Sequence, residues 1–200
     1  MIDLVARRAA LLMGLAGLYL VVQGLWIPAK AEVAQVLLDR AFARSVASGE
    51  PHKPWPWADT VPVARIEAER LGVSEVVLSG GSGEAMAFGP TELGNLPPDI
   101  RVLAGHRDTH FRFVRNLKHD DTLVLHDVDG SIARYRVFGF ATVRWDRFAY
   151  PLLPNRPLLV LATCDPTDPA PGGPQRLVVW AERIGGEEER SRQKAMDKRQ

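Results

Sequence analysis

The chain has 200 residues, 46% of them hydrophobic and 24% charged, which is the balance of a globular protein with length for one main domain and an attachment. A formal net charge of +1, with basic residues scattered rather than gathered in a stripe, gives no electrostatic ground for a nucleic-acid partner. The single cysteine, Cys164, excludes an internal disulfide, so stability rests on packing and the thiol is either a small buried hydrophobe or a reactive group.

Near the amino terminus, residues 9–29 read AALLMGLAGLYLVVQGLWIPA, with no charge and one amide, Gln23. As a helix rising about 1.5 Å per residue, this stretch covers the roughly 30 Å hydrocarbon core of a bilayer. Arg7 and Arg8 just before it favour a cytoplasmic amino terminus, and Trp26 falls where an interfacial aromatic belongs at the far side. A retained anchor is the expected reading. A cleaved signal peptide also fits the basic start, the apolar core and the small-x-small run Ala29-Lys30-Ala31. Both readings export the domain, and an unpaired thiol in an oxidising compartment has to be buried or useful.

Residues 32–48 then place Val33, Val36, Leu37, Arg40, Ala41 and Arg44 at helical spacing, with Gly49 as a stop, so a stalk helix is expected after the anchor. The next stretch, GEPHKPWPWADTVP, resists regular structure through its prolines, and Trp55 and Trp57 are expected to pack on the domain that follows. From Val61 onward the apolar runs are short, β-rich and separated by turn residues: VPVARI, SEVVLSG, IRVLAGH, TLVLHD, IARYRVFGFATVRW, LLVLATC and RLVVWAER. Seven or so such strands indicate a closed or sandwich-like β fold rather than a βαβ one. Short helical pieces are expected at residues 84–88 and at 111–117, where Phe111, Val114 and Leu117 share a face. The organisation is thus anchor at 1–29, stalk and linker at 30–60, β domain at 61–184 and a charged, disordered tail at 185–200.

Chemistry concentrates at the ends of three of these strands. Cys164 closes LLVLATC, and Asp165-Pro166 turns the chain immediately after it. A thiol with a reference pKa near 8.5 needs a positive neighbour or a histidine to act as a nucleophile and to return a proton to a leaving amine. His106, in VLAGHRDTHF, also ends an apolar strand and follows a glycine that permits close backbone approach. Arg176 opens RLVVWA. If its strand is antiparallel to that of Cys164, both side chains sit at one end of the fold, where a guanidinium can hold an oxyanion. A metal reading has His106, Asp108 and His110 at alternate positions, but His119 and His126 do not complete a cluster, so neither metal nor cofactor is expected.

A histidine after a β-strand, the run Leu161-Ala162-Thr163-Cys164 that matches Leu-x-Thr-Cys, and an arginine a dozen residues later together resemble the sortases, a family of membrane-anchored cysteine transpeptidases. The pairing of PWPWADTVPVARI with AGHRDTHF resembles in particular the Gram-negative sortases of class GN. The resemblance implies a mainly β fold, an eight-stranded closed β-barrel with short helices. It makes Cys164 the nucleophile, His106 the general acid and base, Arg176 the substrate and oxyanion ligand, and Thr163 a neighbour in the substrate groove. It also implies membrane-held partner proteins bearing a carboxy-terminal Leu-Pro-x-Thr-Gly-like signal, an amine acceptor, and an enzyme domain on the periplasmic side of the inner membrane. Lys118-His119-Asp120-Asp121 departs from the Gly-Asp that many sortases carry before the next strand. Two other classes stand beside this reading: a thiol hydrolase of the same fold, and an anchored, non-catalytic β-barrel serving as a binding module. Asp108 or His110 could orient His106.

Overall fold

The computed structural model describes residues 2–151, 154–168 and 173–185. The expected disordered tail, beyond Gly185, lies outside the described residues. Two compact units result, one up to Leu37 and one from Leu38 onward. The first is most of a single helix, α1 (Ile2–Ser48), which runs without interruption through Pro28. Within Ala10–Ser48 an 18-residue window has a mean hydropathy of 1.9 and is wholly exposed, so this helix is long and apolar enough to cross a membrane.

The second unit is a closed β-barrel. Its strands are β1 (Pro62–Ala68), β2 (Val73–Ser79), β3 (Thr91–Glu92), β4 (Ile100–Ala104), β5 (Thr122–Asp127), β6 (Ile132–Arg144), β7 (Leu158–Cys164) and β8 (Gln175–Ile184). Around the barrel the order is β1-β2-β3-β4-β7-β8-β6-β5, and β5 pairs back onto β1. Seven of these strands correspond to apolar runs in the sequence. The eighth, β3, is only two residues long and leaves no period to read, yet it bridges β2 to β4 and closes the ring.

Alternation along the strands explains which residues fill the interior. Ala64 and Ile66 of β1, Leu123 and Leu125 of β5, Tyr135 and Val137 of β6, Leu159 and Leu161 of β7, and Val179 and Ala181 of β8 form one buried core. β6 leaves its other face to solvent, with Arg134 and Arg136 exposed. β4 and β7 differ, because both of their faces are covered: Val102 and Val160 are buried outside the barrel while Leu103 and Leu161 are buried inside it. Their near-continuous apolar runs in the sequence follow from this double burial.

The end of α1 belongs to the barrel unit. Leu38 and Phe42 pack with Val76 and Leu78 of β2, and Asp39 accepts a hydrogen bond from Arg65 at 2.6 Å. Trp55 joins this cluster edge-on to Phe88, with centroids 5.1 Å apart, as expected. Trp57 does not: it is 82% exposed, because the turn at residues 54–57 points it away from the barrel. Both expected helical pieces are present in shortened form, as α2 (Gly83–Met86), capped by the Ser82 hydroxyl, and as a 3-10 turn at Val114–Asn116. Phe111, Val114 and Leu117 all reach the interior.

Candidate active site

Three strand ends meet at one pole of the barrel. β7 and β8 are antiparallel, and their register sets Cys164 directly opposite Arg176. β4 runs parallel to β7, with Ala104 beside Ala162. The paired register ends there, and His106 follows Ala104 by two residues as Cys164 follows Ala162. Paired positions on adjacent strands are neighbours, so the thiol and the guanidinium emerge on the same side of the sheet, and the segment carrying His106 leaves β4 at that same end.

The segment carrying His106 is fastened to β7 just before it leaves the barrel. Gly105 N–H donates to the Ala162 carbonyl at 3.2 Å, and the Thr163 hydroxyl donates to the Gly105 carbonyl at 2.8 Å. Thr163 is 3% exposed, and its hydroxyl ties the backbone just before His106 to β7. Glycine at 105 is required by packing. A Cβ there would stand 2.8 Å from Cγ of Phe111, which is buried beneath it. The His106 carbonyl then accepts from Phe111 N–H at 3.0 Å, which turns the chain back over the core.

The thiol is half-buried and free. The His106 imidazole is exposed and has no hydrogen-bond partner among the described residues. Arg176 directs Nη1 to the carbonyls of Gly173 at 2.6 Å and Gln175 at 2.9 Å, which leaves its Nε and Nη2 N–H groups without protein partners among the described residues. Neither expected orienting group serves His106: Asp108 pairs with the Arg107 guanidinium at 3.2 Å, and His110 Nδ1 lies 2.9 Å from Glu75 Oε2. Two of the alternate ligands of a metal reading, Asp108 and His110, therefore point to separate partners. No cluster of three metal-ligating side chains occurs among the described residues.

Several contributors to this pole left no clear mark in the sequence. Asp165, 4% exposed, follows the cysteine and accepts from the Thr167 N–H and hydroxyl, both at 2.7 Å, and from the Thr142 hydroxyl at 2.8 Å. The Thr167 N–H, with these hydroxyls, holds the Asp165 carboxyl below the usual carboxylate range. Thr142 can reach Asp165 because β6 slips register against β8 between Val137 and Gly139. The slip inverts which side chains of its far half face inward.

Running away from Cys164 along the outer side of β7 is an apolar floor of Ile100, Val102, Val160 and Val178. Leu93, Leu96, Val143, Phe148, Tyr150 and Trp180 pack around it, with Phe148 stacked on Trp180 at 6.0 Å. Phe148 and Tyr150 come from the connection between β6 and β7, so that connection walls the floor. A separate cavity of about 550 Å³, lined by Arg136, Phe138, Arg156 and Glu182 among others, contains none of the three candidate groups. Chemistry, not volume, locates the site.

A family model, the sortase domain, matches residues 66–184, more than half of the chain and all three candidate positions. The chain belongs to the sortase family. Solved sortases share its barrel. Sortase A from Corynebacterium diphtheriae superposes with a TM-score of 0.55 at 20% identity, over 64% of this chain and 63% of that one. Sortase C-1 from Actinomyces oris gives 0.55 at 26% identity, over 62% and 75%. The pilus-related sortase C of Group B Streptococcus gives 0.55 at 23% identity, over 63% and 69%. The chain thus spans a little under two thirds of the first of these relatives. No curated protein matches this sortase at a comparable level of significance.

Proposed function

We propose that this sortase is a membrane-anchored cysteine transpeptidase of the Gram-negative class GN type. In this reading Cys164 is the nucleophile, His106 the general acid and base, and Arg176 the oxyanion and substrate ligand. The observation that carries the proposal is the β7–β8 register, which pairs the one thiol of the chain with an arginine at a half-exposed strand end, while β4, parallel to β7, ends two residues before a histidine.

The chemistry follows from those groups. As the Cys164 thiol passes its proton to His106, its sulfur attacks the scissile carbonyl of a Leu-Pro-x-Thr-Gly-like signal, and the Nε and Nη2 N–H groups of Arg176 meet the oxygen as it gains charge. His106 gives its proton to the departing amine, the C–N bond breaks, and a thioester remains on Cys164. An incoming amine then attacks that thioester and gives a proton to His106, which passes it to the departing Cys164 sulfur and restores the thiol. The apolar floor beneath the site suits an extended peptide with apolar side chains and limits the water that competes with the amine.

The apolar α1 supports a retained anchor in the inner membrane, amino terminus cytoplasmic and barrel periplasmic, where substrates are themselves held at the bilayer and so present at raised local concentration. The pairing of PWPWADTVPVARI with AGHRDTHF supports the class. The test is product analysis with the full-length protein in detergent, a Leu-Pro-x-Thr-Gly-type peptide, and triglycine present or absent. A peptide–triglycine conjugate that disappears in Cys164→Ala supports the proposal. Cleavage that ignores triglycine would make the protein a thiol hydrolase, and no cleavage by a folded protein whose Cys164 resists alkylation would make it a binding module.

A further inference from the structure

We infer that Arg107 is a positioning residue that braces the His106 loop against the backbone leaving Cys164. The inference rests on the proposed sortase chemistry and adds a residue to it. Arg107 is one position after the base, and its Nη1 donates to the carbonyl of Asp165, one position after the nucleophile, at 2.9 Å. The same nitrogen reaches the Asp168 carbonyl at 3.5 Å, in a turn closed by Asp168 N–H donating to Asp165 O at 3.3 Å.

The brace completes a pair of ties around His106. Ahead of the histidine, Gly105 is held to Ala162 and Thr163 by two hydrogen bonds. Behind it the chain leaves the strand, and Arg107 provides the link to the same neighbouring segment. The side chain is 23% exposed, so its hydrogen bonds form largely away from water, where a charged donor on a carbonyl is stronger than a neutral one. Its pairing with Asp108, which is 70% exposed, anchors the guanidinium plane but contributes little energy.

The consequence is kinetic. Proton exchange between a thiol and an imidazole needs the two held within about 3 Å, and a displacement near 1 Å costs on the order of 10²-fold in rate. The hydrogen bonds of Arg107 go to the backbone after Cys164 rather than to the apolar floor proposed to take the substrate, so the loss falls on kcat rather than KM. A lysine can reach one carbonyl as a point donor and retains part of the brace; glutamine retains neither charge nor reach.

The experiment measures kcat and KM of full-length wild type, Arg107→Lys and Arg107→Gln on a Leu-Pro-x-Thr-Gly-type peptide with triglycine, normalised to the folded fraction by circular dichroism. Expected is a fall in kcat of roughly 10- to 100-fold for Arg107→Gln, with KM within about threefold, and an intermediate kcat for Arg107→Lys. Unchanged kcat in Arg107→Gln, a loss accounted for by less folded protein, or a loss confined to KM would each overturn the brace while leaving the transpeptidase intact. A wild type without turnover would instead remove the transpeptidase reading, and the brace with it.

Discussion

Gly105→Ala is the substitution that most directly links the barrel core to the chemistry. The added Cβ would stand 2.8, 3.0 and 3.1 Å from three carbons of the Phe111 ring, where ordinary contact begins at 3.4 Å, an overlap of up to 0.6 Å. Neither side yields freely. The Gly105 backbone is held by its bonds to Ala162 and Thr163, and Phe111 is 1% exposed and packed against Phe113 at 5.7 Å between centroids. Overpacking of this kind costs about 1–3 kcal/mol. Whatever displacement remains passes to the next residue, His106, and a shift approaching 1 Å lowers the rate by up to about 10²-fold. Urea unfolding followed by circular dichroism measures the first effect, and kcat/KM on a Leu-Pro-x-Thr-Gly-type peptide measures the second. Pairing the change with Phe111→Leu should restore part of the activity, since the smaller side chain vacates the overlap. A Gly105→Ala protein with wild-type stability and wild-type kcat/KM would refute the argument.

Thr142→Val removes one of the donors to Asp165; a stability loss of about 1 kcal/mol and a several-fold fall in turnover are expected from unfolding and rate measurements. Asp108→Ala and His110→Ala should each leave the rate within about threefold by the peptide assay, because neither side chain meets His106, whereas His110→Ala lowers the melting temperature by leaving Glu75 unpaired. The Asp121 carboxyl is held below the usual range chiefly by its hydrogen bond from Arg70, so its contribution is complete above about pH 4 and is lost as the pH falls through the native value. Arg70→Ala should therefore lower the melting temperature at pH 7, and the gap from wild type should close below about pH 4.

The apolar runs showed seven strands and the three strand ends because each obeys a local rule: alternation where one face is buried, as in β6, or unbroken apolarity where both are, as in β7. β3 escaped that reading because two residues have no period; only pairing with β2 and β4 makes them a strand. His106, Cys164 and Arg176 were legible as residue types at strand termini. What they contact was not, since Arg107 reaches across 58 positions of sequence to the Asp165 carbonyl. Thr142 acts through a register slip that no composition announces. Trp55 and Trp57 looked alike in PWPW, yet one packs on Phe88 and the other is 82% exposed, a difference decided by the direction of a turn. Asp120, in the run that departs from Gly-Asp, adopts φ 67°, the left-handed region that glycine favours and aspartate tolerates.

The central claim is that Cys164 becomes acylated. Intact-mass spectrometry of the full-length protein, quenched in acid during turnover of a Leu-Pro-x-Thr-Gly-type peptide without added amine, tests it most directly. A mass increase equal to the acyl fragment ending at threonine, mapped to Cys164, discharged by triglycine and missing in Cys164→Ala, is the expected result. Turnover of the peptide that continues in Cys164→Ala would contradict it.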